Sequence, residues 1–140
     1  MNKGKTISML HVGDKAESVN HVTEEIGMKF ADVSNDHNPV HLDEAYAMAT
    51  PFKGRIAHGM LLAAYISSVL GNDLPGPGSI YVNQTLSFKA PVRYGDTITT
   101  VAEIFEIIPE RNRVKLKTTC TNQNGQVVLE GEALILPPKE

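Results

Sequence analysis

Asp36 and His41 bracket the stretch Asp36-His37-Asn38-Pro39-Val40-His41, which supplies a carboxylate and an imidazole five positions apart. Those two groups suffice to hold a water and move its proton at neutral pH. Extended backbone would separate them by up to about 17 Å, and a regular helix would aim them about 140° apart. The spacing therefore demands a reversal. Asn38-Pro39 can provide it, because Asn tolerates turn conformations and Pro fixes φ while removing a donor. Spacing alone equally allows a plainer reading, a polar loop between two helices.

Other residues with chemical potential have simpler explanations. His37 and His41 are four apart, as zinc ligands on a helix can be, but Pro39 between them argues against a regular helical turn there and so against a metal. Asp43-Glu44 fits a helix N-terminus better than a second acid pair. Arg111, Arg113, Lys115 and Lys117 alternate with Asn112, Val114, Leu116 and Thr118, so a strand would present four positive groups on one face. Such a row reads as a solvated surface, with attraction of phosphates as the alternative. Cys120, with no histidine beside it in sequence, reads as a buried spectator.

The elements that must position Asp36 and His41 can be read from punctuation. Lys15 to Val22 is short enough for one strand, and Thr23 can cap a helix whose first turn holds Glu24 and Glu25. That helix is expected to end before Asn38-Pro39. Asp43 to Ala49 predicts a second, short helix stopped at Thr50-Pro51. Residues 58–70 carry no formal charge outside His58, so the helix over Ala57–Leu70 is expected to be buried on all sides, with Gly71 as its terminator. The Pro75-Gly76-Pro77-Gly78 segment is a turn-rich connection. Beyond it, strand-like runs cover Ile80–Phe88, Asp96–Ile108, Arg113–Thr121 and Val127–Leu136, with Asn124-Gly125 as a strong hairpin signal. Helices first and an antiparallel meander after them suggest an α+β fold, a sheet wrapped around one central helix.

With 140 residues and 41% hydrophobic content, the chain is expected to form one domain over residues 1–140. A net charge of −3 without a long like-charge block argues against nucleic acid or an anionic membrane as the main partner. A single cysteine excludes an intramolecular disulfide and fits a reducing cytoplasm. No apolar run reaches signal or transmembrane length.

The residues also carry a resemblance. Val33-Ser34-Asn35-Asp36-His37-Asn38-Pro39-Val40-His41, followed by Ala47, resembles the hydratase 2 motif of the MaoC-like (R)-specific enoyl-CoA hydratases. Ala57-His58-Gly59-Met60-Leu61-Leu62-Ala63 resembles the start of their central helix. Pro75 to Tyr81 and Leu86 to Val92 resemble the strand region that follows. The chain departs from the motif at Asn35, where a glycine is usual. The resemblance implies a hot-dog fold, a homodimer, and reversible syn hydration of a trans-2-enoyl-CoA to an (R)-3-hydroxyacyl-CoA with no cofactor and no metal. It places the catalytic pair on Asp36 and His41.

A thioester enolate needs donors for its oxygen. The backbone N–H of Gly59, at the expected helix start, is a candidate, although the same glycine also suits tight helix-to-sheet packing. Ser67 matches a family serine near the catalytic pair and is a candidate to hydrogen-bond the Asp36 carboxylate, although a small residue on a crowded helix is the plainer reading. His58 reads as a helix-start or structural residue rather than a second base. Lys53, Arg55, Lys89 and Arg93 are open candidates for the nucleotide of coenzyme A. The alternatives are a dehydratase acting on acyl carrier protein thioesters, a hot-dog thioesterase, and a non-catalytic acyl-CoA-binding module.

Overall fold

The computed structural model describes residues 3–140. Strand β1 (Lys15–His21) leads into three helices, α1 (Glu24–Ser34), α2 (Pro39–Leu42) and α3 (Glu44–Met48), and then into the long helix α4 (Gly59–Asn72). Strands β2 (Ile80–Gln84), β3 (Ser87–Phe88), β4 (Thr97–Ile108), β5 (Arg113–Thr121) and β6 (Val127–Leu136) follow. Every pairing is antiparallel. The spatial order is β1-β4-β5-β6-β2, with β3 also on β6. The three last strands thus form the expected meander, and β2 returns to its far side.

The helices start and stop for local reasons. Thr23 caps α1, its hydroxyl accepting from the Ile26 N–H at 3.1 Å, with Glu24 and Glu25 in the first turn. The same helix ends on Asn35 at φ 61°, ψ 22°. This left-handed conformation explains the departure from the motif, because Asn is the non-glycine residue that adopts it most readily. Asp43 caps α3 by accepting from the Tyr46 N–H at 3.0 Å.

Leu61, Leu62, Ile66, Val69 and Leu70 on α4 are buried, packed mainly against β4 and also against β1 and β5. Ile98, Ile104, Val114, Leu116, Leu129 and Ile135 meet them from the inner face of the sheet. A curled antiparallel sheet around one long helix is the hot-dog arrangement, an α+β fold.

Two expectations for α4 are corrected. Gly71 does not end the helix, which continues to Asn72 with Asp73 as its cap. Nor is α4 buried all round. Met60, Ala64, Ser67, Ser68 and Gly71 are exposed, at spacings that place them on one stripe turned away from the sheet.

The expected strand over Ile80–Phe88 is also two strands, interrupted at Thr85 and Leu86. There the Thr85 carbonyl fills the space beside Gly131 on β6, and a Cβ on Gly131 would sit 2.7 Å from the Thr85 carbonyl carbon. Register shifts near Ile104 to Glu106 and at Tyr81 to Asn83 add local twist.

Arg113, Lys115 and Lys117 do project from one face of β5, but Arg111 lies in the preceding single turn of 3₁₀ helix, not in the strand. Lys115 pairs with Glu106 at 3.0 Å, and Lys117 lies opposite Glu103 and Glu132 in register. The row is therefore an acid-balanced surface. Among the described residues, no helix is long and apolar enough to cross a membrane.

Candidate active site

The reversal between Asp36 and His41 is built differently from the expected Asn38-Pro39 turn. Asn35 turns the chain in the left-handed conformation, and Pro39 then opens α2 as its first residue, with Asn38 as the cap accepting from the Val40 N–H at 3.2 Å. Pro39 thus starts a helical turn rather than preventing one, because the N–H it lacks would have been unpaired there in any case. Asp36 is held on both sides. Its N–H donates to Ser34 Oγ at 3.2 Å, and its Oδ1 accepts from the Asn38 N–H at 3.1 Å.

His41 is 9% exposed, and its Nδ1 lies 2.8 Å from the Ile56 carbonyl oxygen. A carbonyl only accepts, so Nδ1 carries the proton and Nε2 keeps an unshared pair. Burial lowers the pKa of His41 below its ordinary value, and the neighbouring His58 acts in the same direction. The Ile56 carbonyl and Asp36 oppose this without cancelling it. Neutral at pH 7, His41 is poised to take a proton.

His58, the residue before α4, is 2% exposed and touches both partners. Its Nε2–H donates to the Asp36 backbone carbonyl at 2.9 Å. The ring stacks on His41 with centroids 3.9 Å apart and meets Phe30 edge-on at 5.0 Å. One side-chain atom each from Asp36, His41 and His58 lie within 4.8 Å of one another. This trio is close enough to share a cation, and each ring donates one N–H to a carbonyl while its other nitrogen stays unshared.

A cavity of about 400 Å³ opens beside the trio, lined by His41, His58 and Gly59 and by apolar groups including Phe52, Leu62 and Phe88. Gly59 is the first residue of α4, so its N–H has no acceptor within the helix. A Cβ there would lie 2.7 Å from Phe88 Cε1. Close packing and an open approach to the backbone therefore coexist at this residue.

Ser67 is not brought to the pair. It is exposed, eight residues further along α4 and so about 12 Å from Gly59 along the axis, and it makes no hydrogen bond to Asp36 among the described residues.

The remaining candidates separate cleanly. Arg55 is bound by Glu24 and by Glu44, the latter at 3.0 Å. Arg93 donates to the carbonyls of Phe52 and Gly54. Lys89 pairs with Glu130 at 3.4 Å, and neither Arg93 nor Lys53 has an acidic side-chain partner among the described residues. His37 is exposed, 3.8 Å from Asp32. Cys120 is fully buried with its thiol pushed up by burial and its Sγ 3.4 Å from Thr100 Oγ1, so no base activates it.

Comparison with known proteins agrees with this geometry. Residues 11–126 match the model of the MaoC like domain. The chain is 52% identical to an (R)-specific enoyl-CoA hydratase of Rhodospirillum rubrum over 90% of this chain and 87% of that one. It is also 52% identical to a 3-hydroxybutyryl-CoA dehydratase of Methylorubrum extorquens, over 79% of this chain and 70% of the relative. The solved structure of the R-hydratase PhaJ1 from Pseudomonas aeruginosa in its unliganded form superposes with a TM-score of 0.92 at 48% identity, covering 98% of this chain and 88% of that one.

Proposed function

The chain belongs to the MaoC-like family, and on that premise we propose that it is an (R)-specific enoyl-CoA hydratase whose Asp36 and His41 share the reacting water. The enzyme is a hydro-lyase acting reversibly on a trans-2-enoyl-CoA. The observation that supports the pair most strongly is the proximity of the exposed Asp36 carboxylate to His41, which stands on the cavity wall with Nδ1 committed to Ile56 and Nε2 left unshared. Groups within 4.8 Å leave room for one water about 2.6–3.2 Å from each.

In the hydration direction, that water loses a proton to the pair as its oxygen bonds to Cβ. The electrons of the C=C bond move toward the thioester, and a proton is returned to Cα. The water is consumed and no other reactant is needed. Supply of both new groups by one water gives syn addition. The developing enolate oxygen is met by the Gly59 N–H at the positive end of α4.

The coenzyme A thioester is the better supported form of substrate. An acidic carrier protein would meet a chain of net charge −3, in which two of the four candidate cations, Arg55 and Lys89, are already paired with carboxylates.

A homodimer is part of the reading. The exposed stripe of α4 continues into β2, an edge strand whose Ile80, Tyr81 and Val82 are exposed and which carries no charged residue. An uncharged edge of this kind is a template for pairing, and a second copy would cover strand and stripe together. The lone, buried Cys120 is compatible with a reducing cytoplasm.

The test is hydration of crotonyl-CoA, followed by loss of the enoyl absorbance and chiral analysis of the product. The expected outcome is (R)-3-hydroxybutyryl-CoA with no free thiol. Thiol release would identify a thioesterase, and binding without absorbance change a non-catalytic module.

A further inference from the structure

Helix α2, which carries His41, has only four residues, too few to be stable alone. Its own i to i+4 bond runs from the Asp43 N–H to the Pro39 carbonyl at 2.8 Å, and the next carbonyls are fastened from outside, that of Val40 by the Ile56 N–H at 3.2 Å. The His41 carbonyl accepts from the phenol of Tyr94 at 2.9 Å. This last bond is the one made by a side chain, and it comes from the loop before β4, fifty-three positions away. With the bond from His41 Nδ1 to Ile56, it fixes the catalytic residue at both its backbone and its ring.

The surroundings of Tyr94 are arranged for that contact. Gly27 sits inside α1, where glycine is a poor helix former, yet it is buried beneath the Tyr94 ring. A Cβ there would lie 2.6 Å from Tyr94 Cε1 and 2.8 Å from Cζ, inside contact distance. The Arg55 guanidinium lies over the ring, 5.3 Å from its centroid, and is itself tied to Glu24 on α1 and Glu44 on α3. Burial holds the phenol pKa above its ordinary value, so the hydroxyl remains a donor at neutral pH.

We infer that Tyr94 is a positioning residue for hydration, holding the His41 backbone through its hydroxyl, and that Gly27 is the vacancy that lets it reach. Tyr94 acts only through His41, so the inference rests on the assignment of His41 as catalytic. The lost contact is one hydrogen bond made behind the reacting centre, so its removal lowers turnover rather than substrate binding.

The experiment measures kcat and KM for crotonyl-CoA with wild type, Tyr94→Phe, Gly27→Ala, Tyr94→Val, the Gly27→Ala/Tyr94→Val pair and His41→Gln. Tyr94→Phe is expected to lower kcat about five- to tenfold with KM within about twofold of wild type. Gly27→Ala is expected to do the same, and to add no further loss in the Tyr94→Val background. Wild-type kcat in Tyr94→Phe, or a loss matched by an equal rise in KM, would overturn the inference. Should Tyr94→Phe fail to fold, an unchanged kcat in Gly27→Ala would overturn it equally. The His41→Gln arm separates the two claims. If that variant turns over normally, the assignment of His41 itself has failed, whereas its loss beside an unaffected Tyr94→Phe refutes only the role of Tyr94.

Discussion

At the residue scale, the site is a neutral imidazole next to a carboxylate, and its protonation sets the working pH. Burial pushes His41 below the ordinary histidine value of 6.5, and the proposed hydration uses its unprotonated form. Activity should therefore stand above half of its plateau at pH 6.5 and fall as pH drops through the lowered pKa. A kcat/KM profile for crotonyl-CoA checks this, and an acid limb centred at or above pH 6.5 would contradict it. Asp36 and His41 were legible in the sequence because their relationship is local, a carboxylate and an imidazole joined by a capped turn. His58 was legible as a helix start but not as a contact, since nothing in its own neighbourhood records a partner twenty-two residues earlier. Tyr94 left no signal at all. Its contact with His41 exists only after α1, α2 and the loop before β4 have packed together. Ser67 was misplaced for a related reason, because resemblance supplies a residue type but not the distance along a helix that separates it from Asp36.

At the element scale, backbone conformation makes specific demands. Asn35 lies at φ 61°, so Asn35→Gly should retain stability and activity, while Asn35→Val should cost about 1–2 kcal/mol by equilibrium denaturation. Equal stability of the two variants would show that the left-handed turn is not required. Gly131 is more constrained still, because the obstacle to a side chain is the backbone of Thr85 and neither strand can yield alone. Gly131→Ala should destabilise by about 3 kcal/mol or more, read as a large fall in Tm. Capping and turn chemistry made most boundaries readable, from Thr23 through Asp43 to Asn124-Gly125. Pro39 was misread because the same residue ends one helix pattern and opens another. The break in the run Ile80–Phe88 was invisible in its own residues, since its cause is a glycine on β6.

At the scale of the whole molecule, the apolar character of α4 served two surfaces where the sequence suggested one. Leu62, Ile66 and Leu70 face the sheet, whereas Met60 and Ala64 belong to the opposite stripe, which lies open beside the β2 edge. Composition could not separate these roles, because a helix covered by its own sheet on one side and, as proposed, by a second copy on the other looks uniformly apolar. The expected solution mass is about twice 15.2 kDa by sedimentation equilibrium. Ala64→Lys, which places a charge in the middle of the stripe, should shift the chain toward monomer while leaving the sheet intact by circular dichroism. A monomeric wild type would remove the dimer from this account without touching the catalytic pair.

The central claim is that one water is worked jointly by Asp36 and His41. Its most direct measurement is the rate of crotonyl-CoA hydration by Asp36→Asn and His41→Gln, each verified to be folded. Losses of about 10²-fold or more in both variants are expected, since each removes a partner in the same proton transfer. Near-wild-type rates in both would contradict it.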